Sequence, residues 1–472
     1  MISARRARSN FALERAVELA REYRKPLVVL EALRSDYRWA SDRLHQFVID
    51  GMADNARAFA KTPVTYVPFI ERNHGGGQGL IAALSKHAAA VVTDDYPAFF
   101  LPRMMAAAAN QVDARLEAVD TNGVLPMRGA PKCFTTALSF RAHIQSSLRE
   151  HIQTWPAELR FDDLPPLGEL PAAISTRWLP ATLAELERPA RMIASLPIDH
   201  SVAPAHIRGG ARAADAALAS FIKDVLPHYG ENRNQPSARG TSRLSPYLHF
   251  GHISAHDVFT AVMNAEKWTT RKLAAKGGGA REGWWGVSPN AEGFLDQVIT
   301  WRELGFNMCV ERPSDFDRYA SLPDWARKTL EAHARDPRKY VYSLDEFESA
   351  RTHDPVWNAA QRELTTEGWM HNYLRMLWGK KILEWTRTPE DALGVMIDIM
   401  NKHALDGRDP NSYTGYFWTL GRYDRPWAPE RPIFGNIRYM SSDSTMKKLR
   451  MKPYLAKYGG TARGPKGPHL PF

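Results

Sequence analysis

The sequence predicts two parts, a parallel α/β sheet domain of Rossmann-like type followed by a large all-α domain. Short apolar runs alternate with helical patterns in the first part, and beyond about residue 203 the apolar spacing is helical to the end. A chain of 472 residues exceeds one ordinary domain, so each part can bury its own core. We expect an α/β domain over 1–125, an interdomain linker over 126–205 and a helical domain over 206–472.

The α/β part is predicted from four apolar runs that read as buried strands. They cover residues 27–30, 64–67, 88–92 and 116–119, and helical patterns lie near 10–22, 40–60, 79–85 and 98–110. Strands alternating with helices are typical of a parallel sheet with crossover helices. The chain opens with a helix where such a domain usually begins with a strand. We therefore expect either a sheet that lacks its first strand or a natural start other than Met1.

Turn and cap residues divide the rest of the chain. Residues 75–79 are rich in glycine, but they lack the Lys-Ser/Thr of a phosphate loop and the dinucleotide spacing, which favours a plain loop. Five prolines between 155 and 182 indicate a linker. Asp354-Pro355 and Thr388-Pro389 each place an N-cap before a proline and predict the start of a helix.

Composition narrows the class of protein. The net charge of +10 favours a polyanionic partner. Cys133 and Cys309 have no metal-ligand spacing around them, which argues against a disulfide framework or a zinc site and indicates the reducing cytoplasm. No apolar run reaches the roughly 18 residues that span a bilayer, and the basic start has no secretion signal. We expect a cytoplasmic monomer without a metal and without a membrane partner.

Tryptophans are concentrated in one part of the helical half. Six of the fourteen fall between residues 352 and 441. Trp378 and Trp385 lie seven residues apart and so share one helix face, while Trp357 belongs to the preceding predicted helix. The three indoles could form a line. For any single one of these rings, core filling is the better explanation.

Three clusters in the helical half carry candidate chemistry. The first is Tyr229 with residues 240–254, where hydroxyls and a glycine enter a helix and suit a phosphate, although an ordinary helix cap fits as well. The second is residues 294–304, which include Trp301-Arg302-Glu303. The third runs from 354 to 440, where Arg375 and Asp406 could form one structural ion pair.

In this order the clusters resemble the photolyase/cryptochrome family. Residues 352–359 (Thr-His-Asp-Pro-Val-Trp-Asn-Ala), 405–411 (Leu-Asp-Gly-Arg-Asp-Pro-Asn) and 435–441 (Gly-Asn-Ile-Arg-Tyr-Met-Ser) resemble the class II cyclobutane pyrimidine dimer photolyases in particular. The resemblance covers nearly the whole chain and is most specific from Tyr229 onward.

The resemblance implies that the helical domain binds FAD. The residues it assigns to the cofactor are Tyr229, Thr241, Ser242, Leu244, Ser245, Arg302, Arg375, Met400, Asn401, Asp406 and Asp409. A fixed guanidinium beside the flavin ring would stabilise its anionic reduced form. Ungapped counting places Met400 where the family has an asparagine facing flavin N5, and a slip of one residue would restore Asn401. The α/β domain could also hold an antenna chromophore, a deazaflavin or a folate.

The resemblance also implies an electron relay and a lesion pocket. Trp357, Trp378 and Trp385 match the family's tryptophan relay, whose order the sequence does not give. The expected partner is UV-damaged DNA, whose lesion is flipped out of the duplex. The residues expected to contact the lesion are Gln297, Trp301, Asn372, Met376 and Trp418. Gln297 departs from the family, which generally has a glutamate there that hydrogen-bonds the dimer.

Three functions follow as alternatives. The first is a light-driven lyase that splits pyrimidine dimers by electron transfer from reduced FAD, with the class II resemblance favouring dimers over (6-4) photoproducts. The second is a cryptochrome-like flavin photoreceptor that does not repair DNA. Gln297 favours this photoreceptor, whereas the short ending at 469–472, without a long tail, favours repair. The third is a colourless nucleic-acid-binding protein without a cofactor.

Overall fold

The structure is a computed structural model that describes residues 1–460. The chain divides into two compact units. Unit 1 comprises Met1–Gly129, Ser147–Ile222 and Arg243–Trp268, and unit 2 comprises Ala130–Ser146, Lys223–Ser242 and Thr269–Phe472, of which 461–472 lie outside the described residues. Residues 206–222 and 243–268, expected in the helical domain, thus belong to unit 1. Residues 469–472, on which the expectation of a short ending without a long tail rests, also lie outside the described residues.

Unit 1 contains the parallel strands that the sequence predicted. The strands are β1 (Val28–Leu33), β2 (Thr65–Ile70), β3 (Ala90–Asp95) and β4 (Arg115–Asp120). β1 pairs with β2 in parallel, and β3 pairs with β4 in parallel, so they form two two-stranded sheets. All four predicted strands and the helices between them are present, which confirms the α/β part of the fold class.

The backbone of residues 1–4 hydrogen-bonds to both strand pairs. The amino group of Met1 donates to Leu30 O at 2.8 Å. The buried carboxylate of Asp94 accepts from the backbone of Ile2 at 2.9 Å and of Ala4 at 2.8 Å. In the described chain, no strand precedes the first helix.

Helices account for the remaining regular structure. The α-helices of the described residues are α1 Phe11–Tyr23, α2 Asp42–Phe59, α3 Leu80–Ser85, α4 Leu101–Ala109, α5 Ala137–His151, α6 Ala172–Ser175, α7 Leu183–Glu187, α8 Ala190–Ile193, α9 Ala211–Ser220, α10 Tyr229–Asn232, α11 Ser245–His249, α12 Ala255–Ala265, α13 Pro289–Leu295, α14 Arg302–Glu311, α15 Asp324–Ala332, α16 Leu344–Glu348, α17 Pro355–Glu367, α18 Asn372–Trp385, α19 Pro389–His403, α20 Pro410–Thr419, α21 Ser442–Lys448 and α22 Lys452–Tyr458. No helix within residues 1–460 is long and apolar enough to span a membrane.

The predicted N-caps are confirmed, but the segment predicted as linker, 126–205, contains four α-helices, α5 to α8. Asp354 accepts from two backbone N–H groups at the start of α17, and Thr388 accepts from Asp391 N at the start of α19. α5 falls inside the segment predicted as linker, with residues in both units. Phe140, Ile144 and Leu148 are buried at helical spacing in α5, and the prolines that indicate a linker lie only after its end.

Candidate functional site

An ion pair between α18 and the turn after α19 lies among the helices of unit 2. Arg375 Nη2 lies 3.1 Å from one oxygen of Asp406 and 3.4 Å from the other. The two side chains are only 16% and 9% exposed. Arg375 Nε is buried and has no hydrogen-bond partner within residues 1–460. The pair therefore retains one buried donor that a ligand could satisfy.

The turn that carries Asp406 is built by its own sequence. A Cβ at Gly407 would lie 2.5 Å from Met400 O, so only glycine fits where the turn folds back onto α19. The guanidinium of Arg408 donates to carbonyls in the turn just after α19, at 3.3 Å to Ala404 O and 3.2 Å to Leu405 O. Asp409 caps α20 by accepting from Asn411 N at 2.8 Å. The motif over 405–411 is thus the tight connection between α19 and α20, and it holds Asp406 in position.

Asn401 and Met400 are both fully buried near the end of α19. The Asn401 amide already has protein partners, since its oxygen accepts from Arg408 N at 2.8 Å and from the Tyr416 hydroxyl at 3.3 Å. Its nitrogen donates to the Tyr413 hydroxyl at 3.2 Å. These bonds orient the Asn401 side chain and leave the second N–H of its amide for another partner. Both cofactor assignments stay predictions.

The three predicted relay tryptophans are in direct contact, with Trp357 in the middle. Its ring centroid lies 6.2 Å from that of Trp378, with planes only 7° apart, and 5.9 Å from that of Trp385. All three are at most 2% exposed. Trp357 Nε1 donates to Trp378 O at 3.0 Å, and Trp378 Nε1 donates to Gln361 Oε1 at 2.8 Å. The structure thus gives the order in which the three rings contact one another, which the sequence could not.

Two further rings lie against the outer end of this tryptophan line. Trp385 is 5.6 Å from the ring of Tyr342 and 5.0 Å from the ring of His353, which is exposed. The Tyr342 hydroxyl hydrogen-bonds His353 Nδ1 at 2.6 Å. Burial raises the pKa of Tyr342 and lowers that of His353. The sequence does not distinguish either residue from other aromatic residues, because only their proximity to Trp385 in the structure sets them apart.

The predicted lesion residues Gln297 and Trp301 share a π-helix. It spans Asp296–Trp301 between α13 and α14, and both side chains are half-buried. π-helical turns are rare in proteins, and those that occur are often at functional sites. The preceding carboxylate is held elsewhere, since Asp296 is 4% exposed and accepts from Arg141 Nε at 2.8 Å. Arg141 therefore holds the carboxylate of the residue next to Gln297.

Trp418 stands at the end of α20 and is half-buried. Lys380 Nζ lies 4.9 Å from its ring centroid, and Arg438 Cζ lies 5.6 Å from the same centroid. On α18, Met376 is half-buried and Asn372 is exposed. The surroundings of Trp418 are thus cationic, unlike those of Trp357.

The predicted phosphate residues fall in both units. Tyr229 is buried in unit 2, 5.5 Å from the ring of Phe294, and Arg302 packs over Phe306 at 4.7 Å. Thr241 and Ser242 are half-buried and end a segment of unit 2. Leu244 is buried and Ser245 begins α11, both in unit 1. No group of three His, Cys, Asp or Glu that could hold a metal ion occurs in the described chain.

Comparisons with known proteins complete the description of the site. No protein-family model matches the chain. A deoxyribodipyrimidine photo-lyase of Methanothermobacter thermautotrophicus is 33% identical over 459 residues, covering 96% of this chain and 92% of that protein. One of Oryza sativa subsp. japonica is 33% identical over 477 residues, covering 97% and 86%. Among solved structures, a bacterial class III photolyase from Agrobacterium tumefaciens has a TM-score of 0.70 at 15% identity, covering 97% of this chain and 85% of that one.

Proposed function

The chain belongs to the photolyase/cryptochrome family, and from that premise we propose that it splits cyclobutane pyrimidine dimers in DNA with light and reduced FAD. Its relatives place it among the light-dependent DNA-repair enzymes of this family, as a lyase and a flavoprotein. What we propose beyond family membership is the dimer as substrate, FAD as the electron donor, and the residues that bind each of them.

The observation that carries the proposal is the continuous line of three buried indoles beside the Arg375–Asp406 pair. Trp378 and Arg375 lie three residues apart on α18 and so share one face of the helix. An electron entering at Trp385 would pass through Trp357 to Trp378, on the helix that presents Arg375. Core filling alone would not require three successive indole contacts directed toward one buried ion pair.

The residues around that pair suit a flavin. The unpartnered Nε of Arg375 offers a buried donor to a polar ring edge, and Asp406 fixes the guanidinium so that it can do so. Tyr229, Arg302 and Asp409 are buried, as groups that contact a cofactor would be. When bound and reduced, FAD supplies a single electron to the lesion under light. A fixed positive charge at Arg375 favours the anionic reduced form.

The protein's own part in repair is to hold the flipped dimer. Trp301 and Trp418, both half-buried, offer aromatic faces for stacking, and Gln297 offers an amide that donates and accepts hydrogen bonds. Met376 and Asn372 complete the proposed pocket. The net charge of +10 attracts the phosphates around the lesion.

A cryptochrome-like photoreceptor is the second candidate, and Gln297 favours it. An amide supplies neither the negative charge nor the proton of the family's glutamate. In unit 1, an antenna chromophore of the deazaflavin or folate type stays a prediction, as does the monomeric state.

An absorption spectrum followed by blue-light illumination tests the proposal. The purified protein should be yellow, with one FAD per chain, and illumination with an external electron donor should bleach the oxidised flavin bands. A folded protein that contains no FAD and cannot be reconstituted with it would contradict both the lyase and the photoreceptor.

A further inference from the structure

Lys380 is a buried lysine that the proposed mechanism does not use. It is 0% exposed on α18, two residues after Trp378, and it forms no ion pair within residues 1–460. Its neighbour Lys381 differs, because Lys381 pairs with Glu384 at 2.7 Å. A buried ammonium without a carboxylate partner is costly, so its surroundings need to stabilise it in another way.

The end of α20 provides that stabilisation. Lys380 Nζ donates to Thr419 O at 2.7 Å, one of the carbonyls that the helix itself leaves without a partner. The C-terminal end of a helix also favours a positive charge. Gly379 permits the contact, since a Cβ there would lie 2.6 Å from Thr419 Cγ2 and would force α18 away from α20. The lysine therefore caps the helix that carries Trp418.

The same ammonium contacts the Trp418 ring. Its Nζ lies 4.9 Å from the ring centroid, within the range of a cation–π interaction, and the ring is half-buried. One buried group thus holds both the ring and the backbone carbonyl of the next residue. Arg438 approaches the same ring at 5.6 Å.

The charged groups that face Lys380 come from the segment after α20. Burial, the largest effect, lowers the pKa of Lys380 to about 7, while Asp424 raises this pKa and Arg438 lowers it. α19 contributes the uncharged side chain of Met396, which lies near Gly379. The charge at this position therefore changes near neutral pH. A neutral amine could still donate to Thr419 O, but it would lose the attraction to the ring.

We propose that Lys380 is a positioning residue that holds Trp418 in place for stacking on the lesion. Discrimination of damaged DNA should then weaken as Lys380 loses its charge with rising pH. The proposal rests on the proposed function, because Trp418 is taken as a lesion-stacking ring. It adds a residue and a pH dependence that the relay and the flavin site do not require.

The first test uses free protein and needs no DNA. The protein is labelled with 5-fluorotryptophan, and the Trp418 resonance is assigned by its absence in Trp418→Phe. In fluorine NMR this resonance should shift with a midpoint near pH 7 in the parent and in Lys381→Met, and should not shift in Lys380→Met. A resonance that does not titrate in the parent, or that titrates equally in Lys380→Met, would overturn the proposal.

The second test measures binding of duplexes with and without a thymine dimer from pH 6 to pH 8.5. The ratio of the two affinities should fall by roughly threefold or more in the parent, the scale of losing a cation–π contact. In Lys380→Met it should be low and independent of pH, and in Lys380→Arg, which keeps its charge, high and independent of pH. A parental pH dependence that survives in Lys380→Met would refute the role. Equal parental affinity for both duplexes would count against lesion binding by the parent, and the fluorine titration would still decide whether Lys380 holds Trp418.

Discussion

Two groups of tryptophans in unit 2 differ in burial and in what surrounds them. Trp357, Trp378 and Trp385 are almost fully buried and contact one another, and the first two donate their N–H groups to carbonyl oxygens. Trp301 and Trp418 are half-buried, and two cations, Lys380 and Arg438, lie near the ring of Trp418. The same side chain can therefore serve two purposes. A buried line suits electron transfer, whereas an accessible ring suits stacking on a base.

The Arg375–Asp406 pair should affect both groups, which makes its loss the largest expected effect. Asp406→Ala leaves a buried guanidinium without its carboxylate, a change that typically costs about 3–5 kcal/mol. We expect loss of FAD together with a lower free energy of unfolding, measured by flavin content and urea denaturation. Asp391→Asn, an exposed carboxylate on α19, is the control and should retain flavin.

A change in the middle of the buried line should separate the two groups. Trp357→Phe keeps most of the ring volume but is much harder to oxidise, so fast photoreduction should be lost. The missing hydrogen bond to Trp378 O should cost only about 1 kcal/mol of stability. Transient absorption after a blue flash measures the effect, and chemically reduced protein should still repair DNA. If Trp357→Phe photoreduces like the parent, the line is core filling.

Changes in the accessible rings should have the opposite pattern. Trp301→Ala or Trp418→Ala should weaken binding of dimer-containing duplex by about 1–3 kcal/mol, the scale of one base–aromatic stack. Photoreduction should persist in both variants. Binding of undamaged DNA should be little changed and should weaken steeply with salt, because phosphate contacts release counterions. Slower photoreduction with intact lesion binding would reverse the assignment of the two groups.

A smaller effect is expected at Gln297, beside the accessible rings. Gln297→Glu should raise the yield of repair per photon, because a carboxyl group there would hydrogen-bond the lesion as in the family. Arg141 Nε donates to Asp296 at 2.8 Å, which favours the present orientation of this neighbouring carboxylate. Asp296→Asn is the matched control and should leave the yield of Gln297→Glu unchanged. An unchanged yield in Gln297→Glu would show that the amide already suffices.

The smallest effect concerns acid stability near the buried line. Glu348 accepts from His403 Nε2 at 2.8 Å and from Lys402 Nζ at 2.6 Å. These partners, His403 first, lower the pKa of Glu348 from 4.5 to about 2. Since the folded-state pKa is the lower one, the stabilisation is present above pH 4.5 and is lost as the pH falls toward 2.

That loss should be on the order of 1 kcal/mol because solvent screens the partly exposed group. Glu348→Gln should remove it, so that the melting temperatures of variant and parent converge below pH 3. A constant difference in melting temperature from pH 7 to pH 3 would contradict this assignment.

The sequence predicted much of this molecule because its signals were local. Apolar runs located the strands, and the cap residues Asp354 and Thr388 located two helix starts. What it could not predict depends on three-dimensional contact. The central position of Trp357, the bond between Arg141 and Asp296, and the approach of Lys380 to Trp418 each join residues at least 21 positions apart in the chain. The π-helix that contains Gln297 has no spacing of apolar residues that would distinguish it from an α-helix in the sequence.

The central claim is tested most directly by a repair assay with an oligonucleotide that contains one thymine dimer. Protein with bound FAD is reduced chemically, mixed with the substrate, and either illuminated with blue light or kept in the dark. We predict that intact thymines return in the light sample alone, measured by chromatography. Absence of repair in the light, in the parent and in Gln297→Glu alike, with FAD bound and reduced in both, would contradict the lyase and favour the photoreceptor.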